Sequence, residues 1–395
     1  MFCGGVVMGK NLEYLKNKYI SLNDNYENLE KLLKEYNPWT DKNIGKLLED
    51  FFAALENEDN EFSWLKIDSY DKKKDKEKKD LHEELKHKKG KAVSIDYGIP
   101  SHVRGDIENG TLFLCLVNPN IDVKVAMCEA CQMKNKENIK KYIFDSRSEG
   151  GILYKELDEN GIENPGYYTS NYFNAILSLA NNKKLKKVGD SLSDMSKNIV
   201  NLEAFPFRSS TPNFAIDEDN AKDRFANCLV NSISNVSMLS ARIIIWKILE
   251  YINKDKEKEE DSDKDKVKVR PVFIFRRFNR AWRPSIENVL KKDFIEKNKK
   301  DFIEINKDDL EEEEKAINIV VDNIINELHD EFFYTIGPKD HDNMLKMGKN
   351  IYKNDVNMYV KNEKEDKEID RQNKKEVFKT LITDALISQK DNNGN

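Results

Sequence analysis

The sequence predicts an α/β protein built on a largely parallel sheet, and three observations carry that reading. Four short segments rich in β-branched or aromatic residues punctuate the centre of the chain: "TLFLCLV" (111–117), "NIVNLEAF" (198–205), "RPVFIFRRF" (270–278) and "DFIEIN" (301–306). Helical patterns separate them, so the connections are crossovers and the pairing is mostly parallel. The flanks repeat apolar residues at three- and four-residue steps instead, the signature of helices.

In the N-terminal flank, Leu12, Tyr14, Leu15 and Tyr19, then Leu29, Leu32, Leu33 and Tyr36, mark two helices. "NPWTDKN" separates these from a third that carries Ile44, Leu47, Leu48, Phe51, Phe52 and Leu55. Residues 71–91 hold ten lysines against six acids and are expected to be a solvated linker or frayed helix. The best helix of the centre spans 218–252 and should be buried against the sheet. The stretch that follows, 253–268, has no apolar face and is expected to be a disordered insertion before the third strand. From 308 onward the pattern is helical again, although "EFFYTIGP" has room for one more strand. The expected division is a helical N-terminal region with a charged linker (1–92), an α/β domain (93–307) and a charged helical C-terminal region (308–395). There is no internal repeat.

Composition narrows the function. Apolar residues make up 38% and charged residues 35% of the 395, so the core must be concentrated in few stretches. A net charge of -6 is not that of a wholly basic nucleic-acid binder, yet a cleft can be basic on an acidic protein. Arginine traces such a cleft better than the scattered lysine. Of eleven arginines, five (Arg270, Arg276, Arg277, Arg280, Arg283) fall in one window. From Lys266 to Lys300 twelve basic residues face Glu287, Asp293 and Glu296, a net of +9. Such a patch suits phosphates, which release counterions when neutralised. The alternative is a solvated surface paired with the acidic stretch at 253–265.

Five cysteines without a secretory signal fit a reducing cytoplasm. Membrane insertion is not expected, since no stretch approaches the roughly 18 apolar residues of a span. Cys128-x-x-Cys131 is a half-motif, read as part of a helical face, and no cofactor is expected. Without a Gly-rich phosphate loop, a nucleophile elbow or a His/Asp metal cluster, kinase, hydrolase-fold and metallonuclease readings have no foundation.

In an open parallel sheet the ligand crevice lies beyond the carboxyl ends of the strands. Three strands end suggestively, in Asn118-Pro119-Asn120, in "EAFPFRSS" (203–210) and in "RRFNRAW" (276–282). The stretch "IPSHVRGDIENGTLFLCLVNPN" resembles the first motif region of the uracil-DNA glycosylase superfamily, where a Gly-Asp or Gly-Asn loop leads into a hydrophobic strand and an Asn-Pro step. "NLEAFPFRSS" and "PVFIFRRFNRAW" are similar to the second and third strands of divergent bacterial and phage members, and the resemblance covers about residues 95–306.

The resemblance implies a three-layer α/β/α sandwich with a central four-stranded parallel sheet, extended by helices at both ends. It also implies an enzyme that flips a base out of DNA and hydrolyses its N-glycosidic bond through an oxocarbenium-like sugar. DNA is then the expected partner. Asn118 matches the residue that holds the attacking water, or else it caps its strand. Pro119 and Asn120 would line the base pocket. Glu203, a carboxylate expensive to bury unless paired or functional, would meet an exocyclic amino group of a cytosine-type base or pair with an arginine. Phe205 and Phe207 would stack on the base or belong to the core. Arg104, Arg208, Ser209, Arg276, Arg277, Arg280 and Arg283 would contact DNA. Trp282 is a wedge or the foot of its helix. No "HPS"-type loop follows the fourth strand, which leaves His341 in "GPKDHDN" as a candidate to stabilise the leaving base. That departure points away from uracil, and the resemblance to divergent members that act in antiphage defence implies a bulky modified base, such as a glycosylated cytosine in phage DNA. The alternative is an inactive member of the fold that binds nucleic acid or a protein.

Overall fold

Short apolar runs become strands where both faces can be covered, and this decides the centre of the molecule. The computed structural model describes residues 10–57, 62, 64–67, 98–119, 135–147, 180, 192–208, 235–260, 269–298, 300–302, 313–336, 351–353 and 379–387. Its strands are β1 (Val103–Arg104), β2 (Leu112–Leu116), β3 (Phe144–Asp145), β4 (Ile199–Glu203), β5 (Val272–Phe275), β6 (Phe333–Ile336) and β7 (Ile351–Lys353). They form one seven-stranded sheet in the order β3-β1-β4-β2-β5-β6-β7.

Within it β4, β2, β5 and β6 are successive and parallel, with Leu116 opposite Glu203, Cys115 opposite Phe275 and Phe273 opposite Phe333. β1 runs antiparallel to β4, and β7 antiparallel to β6. The sheet is therefore mixed and larger than the four strands expected. Every residue of β2 is buried, as a central strand covered on both faces requires. The edge strands are only two and three residues long, which limits pairing with other chains.

One expected strand is corrected. Residues 300–302 are helical, with Phe302 buried, and the fourth parallel strand is β6 instead. The alternation in "DFIEIN" imitates a half-buried strand, but Phe302 packs by its edge against Tyr14 of the first helix. Residues 303–306 lie outside those described.

The helices are α1 (Lys10–Leu22), α2 (Leu29–Tyr36), α3 (Asp41–Asn57), α4 (Lys136–Ile143), α5 (Leu192–Lys197), α6 (Asn235–Glu260), α7 (Arg283–Val289), α8 (Glu313–Glu331) and α9 (379–386). α6 continues to Glu260, so the first part of the insertion expected to be disordered is helical. Residues 218–234, assigned from sequence to the same helix, are outside the described set, as are 71–91. α7 is flanked by two π-helical segments, Phe278–Trp282 and Leu290–Ile295.

A single apolar core joins Leu12, Leu48 and Phe51 of the first helices to Ile244 of α6 and to Phe113, Phe273 and Phe333 of the sheet. The N-terminal region thus shares the core of the α/β unit, and 308–395 supplies β6, β7 and α9 to it. Polar locks reinforce this. Arg242 of α6 makes two hydrogen bonds to Asp293, 2.8 and 3.2 Å, and Tyr26 donates to the same carboxylate at 2.8 Å. Glu327 of α8 accepts from the backbone N–H of Leu12 at 2.5 Å and of Asn11 at 3.4 Å, and so caps the N-terminus of α1. At the amino edge of the sheet Thr111 and Asn198 donate to Ala385 and Leu386 of the α9 turn, at 2.5 and 3.0 Å.

The Gly-Asp step has a structural role. Gly105 adopts φ +119°, and a Cβ there would lie 2.8 Å from the Ile199 carbonyl oxygen, so only glycine fits. Asp106 then accepts from the backbone and side-chain amides of Asn109, at 3.0 and 2.8 Å, and closes the turn into β2. Among the described residues no helix is long and apolar enough to cross a membrane.

Candidate functional site

Strand order reverses at β2. The chain passes from β2 to β4 on one side and then from β4 to β5 on the other. A crevice is expected outside the carboxyl ends of the strands at such a point. Asn118 follows β2, Glu203 ends β4 and Arg276 follows β5, so the three termini singled out from sequence are neighbours on one edge. The backbone N–H of Arg276 donates to the Cys115 carbonyl at 2.9 Å, and that of Phe205 donates to the Val117 carbonyl at 2.9 Å, which holds the three tails together.

The strand register sorts the side chains by face. Phe113, Cys115, Val200, Leu202, Phe273 and Phe275 enter the common core. Asn201 and Glu203 point to the opposite face with their partners Leu114 and Leu116. Both polar residues are only 4% exposed. Neither amide atom of Asn201 nor the Oε2 of Glu203 has a hydrogen-bond partner among the described residues. A buried amide or carboxyl without partners costs several kcal/mol, roughly 1–3 for each group. Burial pushes the Glu203 carboxyl well above its usual range, and the guanidiniums of Arg276 and then Arg208 pull it back only in part.

Asn118 is half-buried, and its Nδ2 donates to the Phe207 carbonyl at 3.4 Å and to the Pro119 carbonyl at 3.3 Å. The amide therefore ties the tail of β2 to that of β4, as a strand cap does. The same orientation turns its Oδ1, an acceptor, away from those carbonyls. Pro119 is buried beside it.

Several site expectations are corrected. Phe205 and Phe207, each 4% exposed, are sealed in the apolar core, so neither offers a face for a base to stack on. Arg208 is buried, donates through Nε to the Ile99 carbonyl at 2.8 Å and bonds the Tyr142 hydroxyl. It is a structural tether and a counter-charge for Glu203, not a phosphate contact. Arg104 donates to the Lys141 carbonyl at 2.8 Å and lies 4.4 Å over the Tyr142 ring, fastening α4 to the sheet.

Arg283 is consumed by Glu287 at 2.6 Å and Asp322 at 2.7 Å, and Arg270 by Glu331 at 2.7 Å. The partners of Arg270 and Arg283 thus lie on α7 and α8. Trp282 is fully buried with its ring 5.4 Å from Phe275, the foot of its helix rather than a wedge.

Arg276 remains beside Glu203. Arg277 holds φ +54°, the left-handed region that a side chain rarely adopts, as the chain turns from β5 into the first π segment. Asn120, Ser209, His341 and the pair Cys128 and Cys131 lie outside the described residues, as does the side chain of Arg280.

Sequence reasoning missed Asn201 and His102. Asn201 had a signal, a polar residue interrupting the apolar run "IVNLE". His102 had none, because its partners come from distant elements. Comparison with protein-family models, with curated proteins and with solved structures finds no match.

Proposed function

We propose that the chain is a DNA glycosylase that removes a modified base, with the base read by Asn201 and Glu203. The observation that supports this most is the buried Asn201–Glu203 pair. It places unsatisfied donors and acceptors on one face of β4, next to the strand-order reversal. A planar heterocycle offers alternating donors and acceptors at the spacing of an amide. Burial favours the protonated form of Glu203, which can donate to the base as well as accept from it.

On this reading the N-glycosidic bond breaks heterolytically. Its electron pair passes to the base nitrogen, which takes the proton of Glu203, and the sugar becomes oxocarbenium-like. A water held by the Asn118 Oδ1 adds to that carbon, and its proton restores the Glu203 carboxyl. An amide is a poor base, so Asn118 acts by orientation and the cation forms before attack. Glu203 thereby fills the role for which the sequence offers no "HPS"-type histidine. Arg276, at the same edge, is the candidate cation for a substrate phosphate.

The test is incubation of the purified protein with phage DNA carrying modified cytosines and with uracil-containing oligonucleotides, followed by detection of alkali-labile abasic sites. Asn118→Ala should lower turnover about a hundredfold while DNA binding persists. Asn201→Leu should abolish turnover yet raise the stability to urea by about 1–3 kcal/mol, because it removes an unpartnered amide. Retained DNA binding without abasic sites on any of these DNAs would replace the enzyme reading with an inactive binding module.

A further inference from the structure

Glu203 is held by a chain of neutral hydrogen bonds that begins in the N-terminal helical layer. Trp39, in the turn between α2 and α3, donates from Nε1 to the Nδ1 of His102 at 2.7 Å. The indole N–H is a donor only, so the His102 Nδ1 is the acceptor and the neutral ring carries its proton on Nε2. That Nε2 lies 3.0 Å from the Ser240 Oγ of α6. Ser240 therefore accepts from the imidazole and donates its own proton to the Glu203 carbonyl, at 2.8 Å. The Glu203 N–H in turn donates to the His102 carbonyl at 3.0 Å.

Both backbone groups of Glu203 are thus fixed by His102 and Ser240. His102 and Ser240 are buried, at 1% and 0% exposure, and each hydrogen has one place to go. Burial holds the imidazole neutral by lowering its pKa to about 3. If the imidazole carried its proton on Nδ1, two donors would face each other at Trp39 and Ser240 would lose its donor.

We propose that Trp39, His102 and Ser240 form a positioning relay, in which the N-terminal layer sets the His102 tautomer and thereby the orientation of Glu203 at the sheet edge. The inference rests on the reading of Glu203 as the group that meets the base. It makes the N-terminal helices part of the site although none of their residues touches the reacting atoms.

The experiment uses the full chain. Histidine ¹⁵N resonances, with His102 assigned by its loss in His102→Gln, report the tautomer. The infrared band of the Glu203 carboxyl, assigned by its loss in Glu203→Gln, reports the positioned group. Trp39→Phe keeps an aromatic ring and removes the donor, while Tyr14→Phe breaks a remote hydrogen bond to Asp301, 2.8 Å long, as a control for general loosening.

Trp39→Phe should change the His102 tautomer and shift the Glu203 band, and Ser240→Ala should shift the band with the tautomer kept. Tyr14→Phe should move neither. On DNA, Trp39→Phe and Ser240→Ala should lower kcat on the order of tenfold with KM little changed. His102→Gln, whose amide can accept from Trp39 and donate to Ser240, should recover more turnover than His102→Leu. Loss of thermal stability in Trp39→Phe with the tautomer and the Glu203 band unmoved would overturn the relay. Absence of abasic sites from the wild type would overturn the glycosylase reading alone, because both spectroscopic signals are independent of substrate.

Discussion

Glu203 makes stability depend on pH in a direction opposite to that of an ordinary ion-paired carboxylate. Burial raises its folded pKa above the ordinary 4.5, so the folded chain keeps this proton to higher pH than the unfolded chain. The stabilising contribution is then fully present below about 4.5 and is lost as pH rises through the folded value. Glu203→Gln should therefore melt above the wild type at pH 8, with the gap closing as pH falls toward 4.5. Thermal melts across that range check it, and the reverse order would mean that Arg276 and Arg208 hold an ionised carboxylate. His102 has the other sign. Its folded pKa of about 3 lies below the ordinary 6.5, so its contribution is present above about 6.5 and is lost as pH falls toward about 3. Melts of the wild type should fall through that window, and those of His102→Gln should fall less. Asn118, Glu203 and Arg276 were legible because each ends an apolar run that reads as a strand. Arg208 and Arg283 were misread for one reason: composition shows a residue's chemistry but not its partners. The Tyr142 hydroxyl, the Ile99 carbonyl and Asp322 are brought to them only by the fold.

At the scale of elements, strands legible in the sequence are those buried on both faces. β2, β4 and β5 lie inside the segments assigned from their β-branched and aromatic residues, with boundaries trimmed by one to three residues at each end. β1 and β3 have two residues each and exist only through pairing, so no periodicity marks them. β6 was harder, since "FYTI" follows α8 almost directly and carries no turn residue before it. α1 shows a different dependence. Its Asn11 and Leu12 N–H groups are satisfied by Glu327, more than 300 positions later in the chain. A carboxylate there also meets the positive end of the helix dipole. Glu327→Ala should cost about 1–2 kcal/mol and raise amide exchange in the first turn of α1, with exchange at α6 unchanged. Uniform exchange across both helices would show that the cap is not what holds α1.

For the molecule as a whole, the N-terminal helices expected as attachments share a core with the sheet, and the Arg242–Asp293 pair sits where its parts meet. Their side chains are each 6% exposed, with Tyr26 bonded to the same carboxylate and Tyr36 3.9 Å from the guanidinium. Breaking such a pair from one side strands a buried charge, so Arg242→Met or Asp293→Leu alone should cost about 3–5 kcal/mol. The double variant should cost less than either, which a double-mutant cycle in urea measures. Additive losses would mean that the pair is not isolated from solvent as its geometry indicates. Thr111, at the entrance to β2, bonds a carbonyl 274 positions further along the chain. Closing so distant a contact is slow, and the central strand is made long before its cover. During synthesis the amino edge of the sheet therefore waits for a segment 274 positions further along to arrive, and until then its apolar strands are open to other chains.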